Sequence, residues 1–106
     1  MSIKNPMHPG EFLLEAFMKP FGITCAEMAM NLGVSQSTIS RITSKKMDLT
    51  AGMAMRLSIV VGRTPESWMN MQNNYSLRQF IDNDKSELAS LRPMKFEAES
   101  DNEGER

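Results

Sequence analysis

Apolar residues recur along most of the chain at intervals of three and four, and no stretch keeps the two-residue alternation of a half-buried strand. The pattern predicts five helices, each fenced by start and stop residues. The first spans residues 9–19. Pro9 suits its first position, Met7 and Phe12 form a hydrophobic staple, and Phe12, Leu13, Ala16 and Phe17 make one apolar face before Pro20 and Gly22 stop it. The second opens on a T-x-x-E capping box, Thr24 with Glu27, stapled by Ile23 and Met28, and closes at Gly33. The third is capped by Ser35, with Val34 and Ile39 as its staple. Thr50 caps the fourth, whose buried stripe is Met53, Ala54, Leu57, Val60 and Val61, and Gly62 ends it. Thr64 and Pro65 open the fifth, cap then first-position proline. Trp68, Met71, Gln72 and Tyr75 mark one face of it, and Leu77, Phe80, Ile81, Leu88 and Leu91 suggest that it continues.

The expected fold is therefore all-α, a compact five-helix domain with an extended C-terminal helix. Helices two and three are joined by a very tight turn at Gly33, which is the helix-turn-helix arrangement. Ala29 is small, as the inner face of a close crossing requires, and Met28, Leu32, Val34, Ile39 and Ile42 seal the corner.

The stretch NLGVSQSTISRI sets a row of hydroxyls on the third helix, although Ser and Thr are poor helix formers. Gln36, Ser37, Ser40, Arg41 and Ser44 fall on one outward face at helical period. Such a face suits the major groove, where the start of the second helix of the motif meets the base edges. Gln36 can pair with adenine, and Arg41 with guanine or a phosphate. Ser37, Thr38 and Ser40 reach base edges or phosphate oxygens. Lys45 and Lys46, just beyond the helix, are candidates for neutralising phosphates, together with Thr24 and Ser35 at the two helix starts. The competing reading is an ordinary solvated face, which would not need to sacrifice helix propensity.

Charge sharpens this picture once it is resolved along the chain. Residues 93–106 set Lys95 and Arg106 against Glu97, Glu99, Asp101, Glu103 and Glu105, a net of −3, so residues 1–92 carry +2 although the whole chain is at −1. The division is a folded body, 1–92, and an acidic tail, 93–106, expected to be disordered. Arg41, Lys45 and Lys46 give a thin electrostatic footprint. A dimer doubles it to about six cations, a log–log salt slope near −5, and sets two recognition helices about 34 Å apart to match an inverted repeat. Tyr75, Leu77 and Phe80 are the expected dimer interface. Trp68 is expected to close the monomer core.

Other chemistries find little support. Cys25 is the only cysteine and His8 the only histidine, so no internal disulfide forms and no metal site is expected. His8 reads as a cap-region residue. There is no nucleophile–base set, no paired acid and base and no phosphate loop, so neither catalysis nor a cofactor is expected. No apolar run reaches the ~18 residues of a membrane span, and MSIKNPMHPGE lacks a signal-peptide core, so a cytoplasmic location without membrane contact is expected.

The stretch HPGEFLLEAFMKPFGITCAEMAMNLGVSQSTISRI, continued by LTAGMAMRLSIVVGRTPESWMNMQNNYSL, closely resembles the HigA/VapI antitoxins of the larger xenobiotic-response-element-type helix-turn-helix family. HPGE, GVSxSTxSR, TPExW and MQxxY stand in family order, and the likeness covers about residues 6–80. The resemblance implies a lambda-repressor-like dimeric repressor of a toxin–antitoxin operon. It would bind an inverted repeat in its own promoter and neutralise a HigB-type toxin that cleaves mRNA. Carried over by motif position, Gln36, Ser37, Thr38, Ser40 and Arg41 become the recognition residues. Cys25 departs from the polar residue many relatives hold near the start of helix two, so one backbone contact is expected to be weaker or to be replaced by Thr24. One alternative is a stand-alone helix-turn-helix repressor without a toxin partner; another is a helical corner that binds only protein.

Overall fold

The computed structural model describes residues 5–97. Residues 98–106, most of the tail expected to be disordered, lie outside them; residues 93–97 are exposed and irregular. The helices are α1 (Pro9–Phe12), running on into a π-helical stretch (Leu13–Met18), α2 (Cys25–Leu32), α3 (Gln36–Thr43), α4 (Ala51–Val60) and α5 (Pro65–Asp84), with a 3-10 turn at Lys85–Leu88. There is no strand among the described residues.

The caps form as the sequence dictates. Thr24 Oγ1 accepts from the Glu27 amide at 3.1 Å, and the Glu27 carboxylate accepts from the Thr24 amide at 3.2 Å. Ser35, Thr50 and Thr64 each accept from the amide three residues on. Gly33 is left-handed at φ +71, so the Val34 amide can donate back to the Ala29 carbonyl at 3.0 Å and close α2.

The core is Leu13, Met18, Met28, Ala29, Leu32, Ile39, Ile42, Leu49, Met53, Ala54, Leu57 and Trp68. Trp68 closes it, and its indole N–H donates to the Gly62 carbonyl at 2.9 Å, fixing the α4–α5 turn. Two details depart from the expected pattern. The first helix is α-helical for one turn only; thereafter i→i+5 bonds bring residues five apart toward one face, so Leu13 and Met18 are both buried. Val60 leaves the α4 stripe and is exposed, because α4 ends there and Val61 turns inward instead.

Two polar side chains tie distant segments. Arg56 on α4 donates from Nη1 to the Leu32 carbonyl at 2.7 Å, satisfying the end of α2 at the tight turn. Gln72 on α5 is buried; its Oε1 accepts from the Leu49 amide at 2.7 Å, and its Nε2 donates to Asp48 Oδ1 and Ser76 Oγ at 3.3 and 3.1 Å. It fastens the segment after α3 to α5. From Gln79 to residue 97 every residue is exposed, so the far half of α5 leaves the body of the domain.

Candidate nucleic-acid interface

Helix α3 is divided by its sequence into two faces. Ile39 and Ile42 are buried, while Gln36, Ser37, Ser40 and Arg41 are exposed and Thr38 is half-buried. At its start the hydroxyls cluster. Ser35 Oγ lies 3.2 Å from Ser37 Oγ and 2.8 Å from Thr38 Oγ1, and it accepts from the Thr38 amide at 3.1 Å. The helix carries no acid in its first turn. The two contacts among these three hydroxyls use two of their three hydrogens, which leaves one to donate beside the positive end of the helix, where an anion is favoured.

The other end of α3 closes with an unusual residue. The Lys45 amide donates to the Ile42 carbonyl at 3.0 Å, and the Lys46 amide donates to the Arg41 carbonyl at 2.8 Å. This closure needs a left-handed residue, a role usually filled by glycine, and here Lys45 fills it at φ +68. Lys45 and Lys46 are both exposed at the end of the helix. Lys45 Nζ lies 3.8 Å from the Glu11 carboxylate, whereas no ion pair engages Arg41 or Lys46 among the described residues.

Thr24 is exposed, and its oxygen is occupied as an acceptor by its own helix cap; its hydroxyl hydrogen remains available. Glu27 shares that helix start, so a phosphate approaching there meets a carboxylate. Cys25, the first residue of α2, is half-buried against the core.

Tyr75, Leu77 and Phe80 lie apart from this face, on α5. Tyr75 is half-buried, its ring edge-on to His8 at 4.9 Å between centroids, whereas Leu77 and Phe80 are exposed at 54% and 37%. Tyr75 and Phe80 border one shallow cavity on α5, with Asp48, Ser76 and Gln79, while Leu77 is not among its lining residues.

The N-terminal turn does more than its sequence announces. His8 caps α1, its Nδ1 accepting from the Gly10 amide at 2.9 Å, but it is also fully buried. Its Nε2 has no partner in hydrogen-bond geometry among the described residues. Burial lowers its pKa below the usual histidine value; Asp48 opposes that shift and Lys45 adds to it. Gly10 packs on the backbone of Ile42, so closely that a Cβ there would collide with the Ile42 carbonyl. The signal was present in HPGE, but a Pro-Gly pair beside a cap reads equally as a simple helix start. No group of three or more His, Cys, Asp or Glu residues that could hold a metal occurs among the described residues.

A tight bihelical corner with a polar, cation-tipped second helix defines a helix-turn-helix protein, and a helix-turn-helix family profile matches residues 14–68. The chain belongs to this family, within the group that includes the VapI and HigA proteins. It is 37% identical over 98 residues to virulence-associated protein I of Dichelobacter nodosus, covering 90% of each chain. It is 32% identical over 91 residues to antitoxin HigA-1 of Vibrio cholerae, covering 86% of each. Among solved structures it is similar to antitoxin GraA in complex with its operator, with a TM-score of 0.80 and 35% identity over 91% of this chain and 98% of that one.

Proposed function

We propose that this protein is the antitoxin and autorepressor of a toxin–antitoxin operon. As a homodimer it binds an inverted repeat in its own promoter, and it neutralises a HigB-type, mRNA-cleaving toxin in the cytoplasm. The observation that carries the DNA half is the division of α3: aliphatic residues anchor its back while Gln36, Ser37, Ser40 and Arg41 face solvent. In this reading Gln36 pairs with adenine and Arg41 with guanine or phosphate. Ser37, Thr38 and Ser40 add short contacts, and Thr24, Ser35, Lys45 and Lys46 hold the backbone. The operator-bound GraA relative supports the DNA role, and the HigA-1 relative supports the toxin. Dimerisation follows from the exposed apolar side chains of α5, Leu77 and Phe80, with Tyr75 bordering the same cavity as Phe80.

Footprinting on the gene's own upstream region tests the DNA half. A protected inverted repeat supports it; no protection at low salt removes it. Affinity capture from native lysate tests the toxin half. Co-purification of a small RNase encoded beside the gene supports the antitoxin role, and DNA binding without such a partner leaves a stand-alone repressor.

A further inference from the structure

Among the described residues, Lys45 is the one cation at the end of α3 with a carboxylate in ion-pair range, and that carboxylate comes from a different helix. Glu11 lies on α1, one residue after the glycine whose backbone packs on Ile42. The Ile42 carbonyl also accepts the Lys45 amide. The Lys45 backbone is therefore fixed by helix closure, its φ is held at +68, and its ammonium lies 3.8 Å from a carboxylate fixed to the same scaffold. Arg41 and Lys46 are exposed and make no ion pair among the described residues.

We infer that Glu11 is a positioning residue that tethers Lys45 and so raises discrimination between the operator and other DNA. The inference rests on the DNA-binding reading of α3. Non-specific binding is almost wholly electrostatic, and its phosphates present themselves in many registers. A lysine that swings freely follows them; a tethered one does not. On the operator, base contacts set one register, and the backbone phosphate arrives where the tethered ammonium already points. Holding Lys45 therefore costs affinity on random sequence and little on the specific site. The pair is half-exposed, with side-chain exposures of 45% and 39%, so the effect is modest.

The test measures binding of the full chain to its footprinted operator and to a scrambled duplex of equal length, across a salt series. Glu11→Gln should tighten binding to scrambled DNA by about two- to fivefold, the range of an exposed ion pair. Operator affinity should change less, and the salt slope on scrambled DNA should steepen by up to about one. Glu11→Asp, which keeps the charge, should stay nearer to the parent. In a Lys45→Ala background, Glu11→Gln should leave the specificity ratio unchanged, because the tethered group is gone. An equal gain on both duplexes would reduce Glu11 to a repulsive surface charge and overturn the inference, as would unchanged or weaker scrambled binding. A persistent effect without Lys45 would do the same. If the parent protein binds neither duplex, the DNA-binding reading itself fails; if it binds the operator, that reading stands whatever Glu11 does.

Discussion

Gly10 and Ile42 touch backbone to backbone, and nothing larger than hydrogen fits between them. One belongs to the N-terminal turn and the other to the inner face of α3. The orientation of α3 is thus set from behind, by the N-terminal turn. His8 holds that turn through the Gly10 amide, and Tyr75 on α5 packs against His8.

Gly10→Ala should therefore be costly although alanine is the better helix former. A Cβ aimed at a backbone carbonyl forces α1 and α3 apart, and overpacking of this kind costs about 1–3 kcal/mol. Thermal unfolding should show it as a lower midpoint, by roughly 4–8 °C per kcal/mol for a domain of this size. An unchanged midpoint would mean that the two helices do not approach as described.

Lys45→Gly and Lys45→Ala separate backbone strain from charge. Glycine relieves the left-handed conformation and should stabilise the fold by about 1 kcal/mol, whereas alanine should not. Both remove one phosphate contact, so both should weaken operator binding and flatten its salt slope by about one, with a smaller loss on scrambled DNA, whose phosphates the tethered ammonium meets less often. Denaturant titration beside a salt series reads the two effects independently. Base preferences within the operator should persist; discrimination relaxed at one base pair would instead make Lys45 a base-reading residue.

Gln72→Leu should leave the Leu49 amide buried without an acceptor, a loss of about 1–3 kcal/mol. Hydrogen exchange at Leu49 is the local readout, and it should accelerate more than exchange in α2. Equal protection in the two proteins would show that the clamp carries no stability.

His8 makes stability depend on pH. Its folded pKa lies below 6.5, so the folded protein binds this proton less readily than the unfolded chain. Stability from this group is complete above about pH 6.5 and declines as pH falls below it, with a slope of at most about 1.4 kcal/mol per pH unit. His8→Asn should flatten urea midpoints between about pH 6.5 and 5. A parent whose midpoint rises on acidification through that window would contradict the buried neutral imidazole.

The features written in neighbouring residues were the ones legible in the sequence. Thr24 with Glu27, Ser35, Thr50, Thr64 with Pro65, and Gly33 each announced a boundary that the fold honours, because capping is local chemistry. The two faces of α3 were legible for the same reason. The fifth helix was expected to continue through Leu91; it is α-helical to Asp84 and tightens into a 3-10 turn at Lys85–Leu88. The π-helical stretch was not legible, since Phe12, Leu13, Ala16 and Phe17 fit an ordinary α-helix equally well. Nor were the long-range ties, Gly10 on Ile42, Arg56 on Leu32 and Gln72 on Leu49. A glycine, an arginine and a glutamine have many uses, and only the tertiary approach of distant segments selects one.

If the outward face of α3 reads bases, Gln36 is the residue at which this shows. Gln36 is exposed at the first position of α3, and its side chain makes no hydrogen bond among the described residues. The decisive measurement is the affinity of the parent and of Gln36→Ala for the operator and for its single-base-pair variants. The expected result is a loss of about 1–3 kcal/mol on the operator, with discrimination relaxed at one position in each half-site. An equal loss on operator and scrambled DNA, with every base preference intact, would contradict base reading by that face.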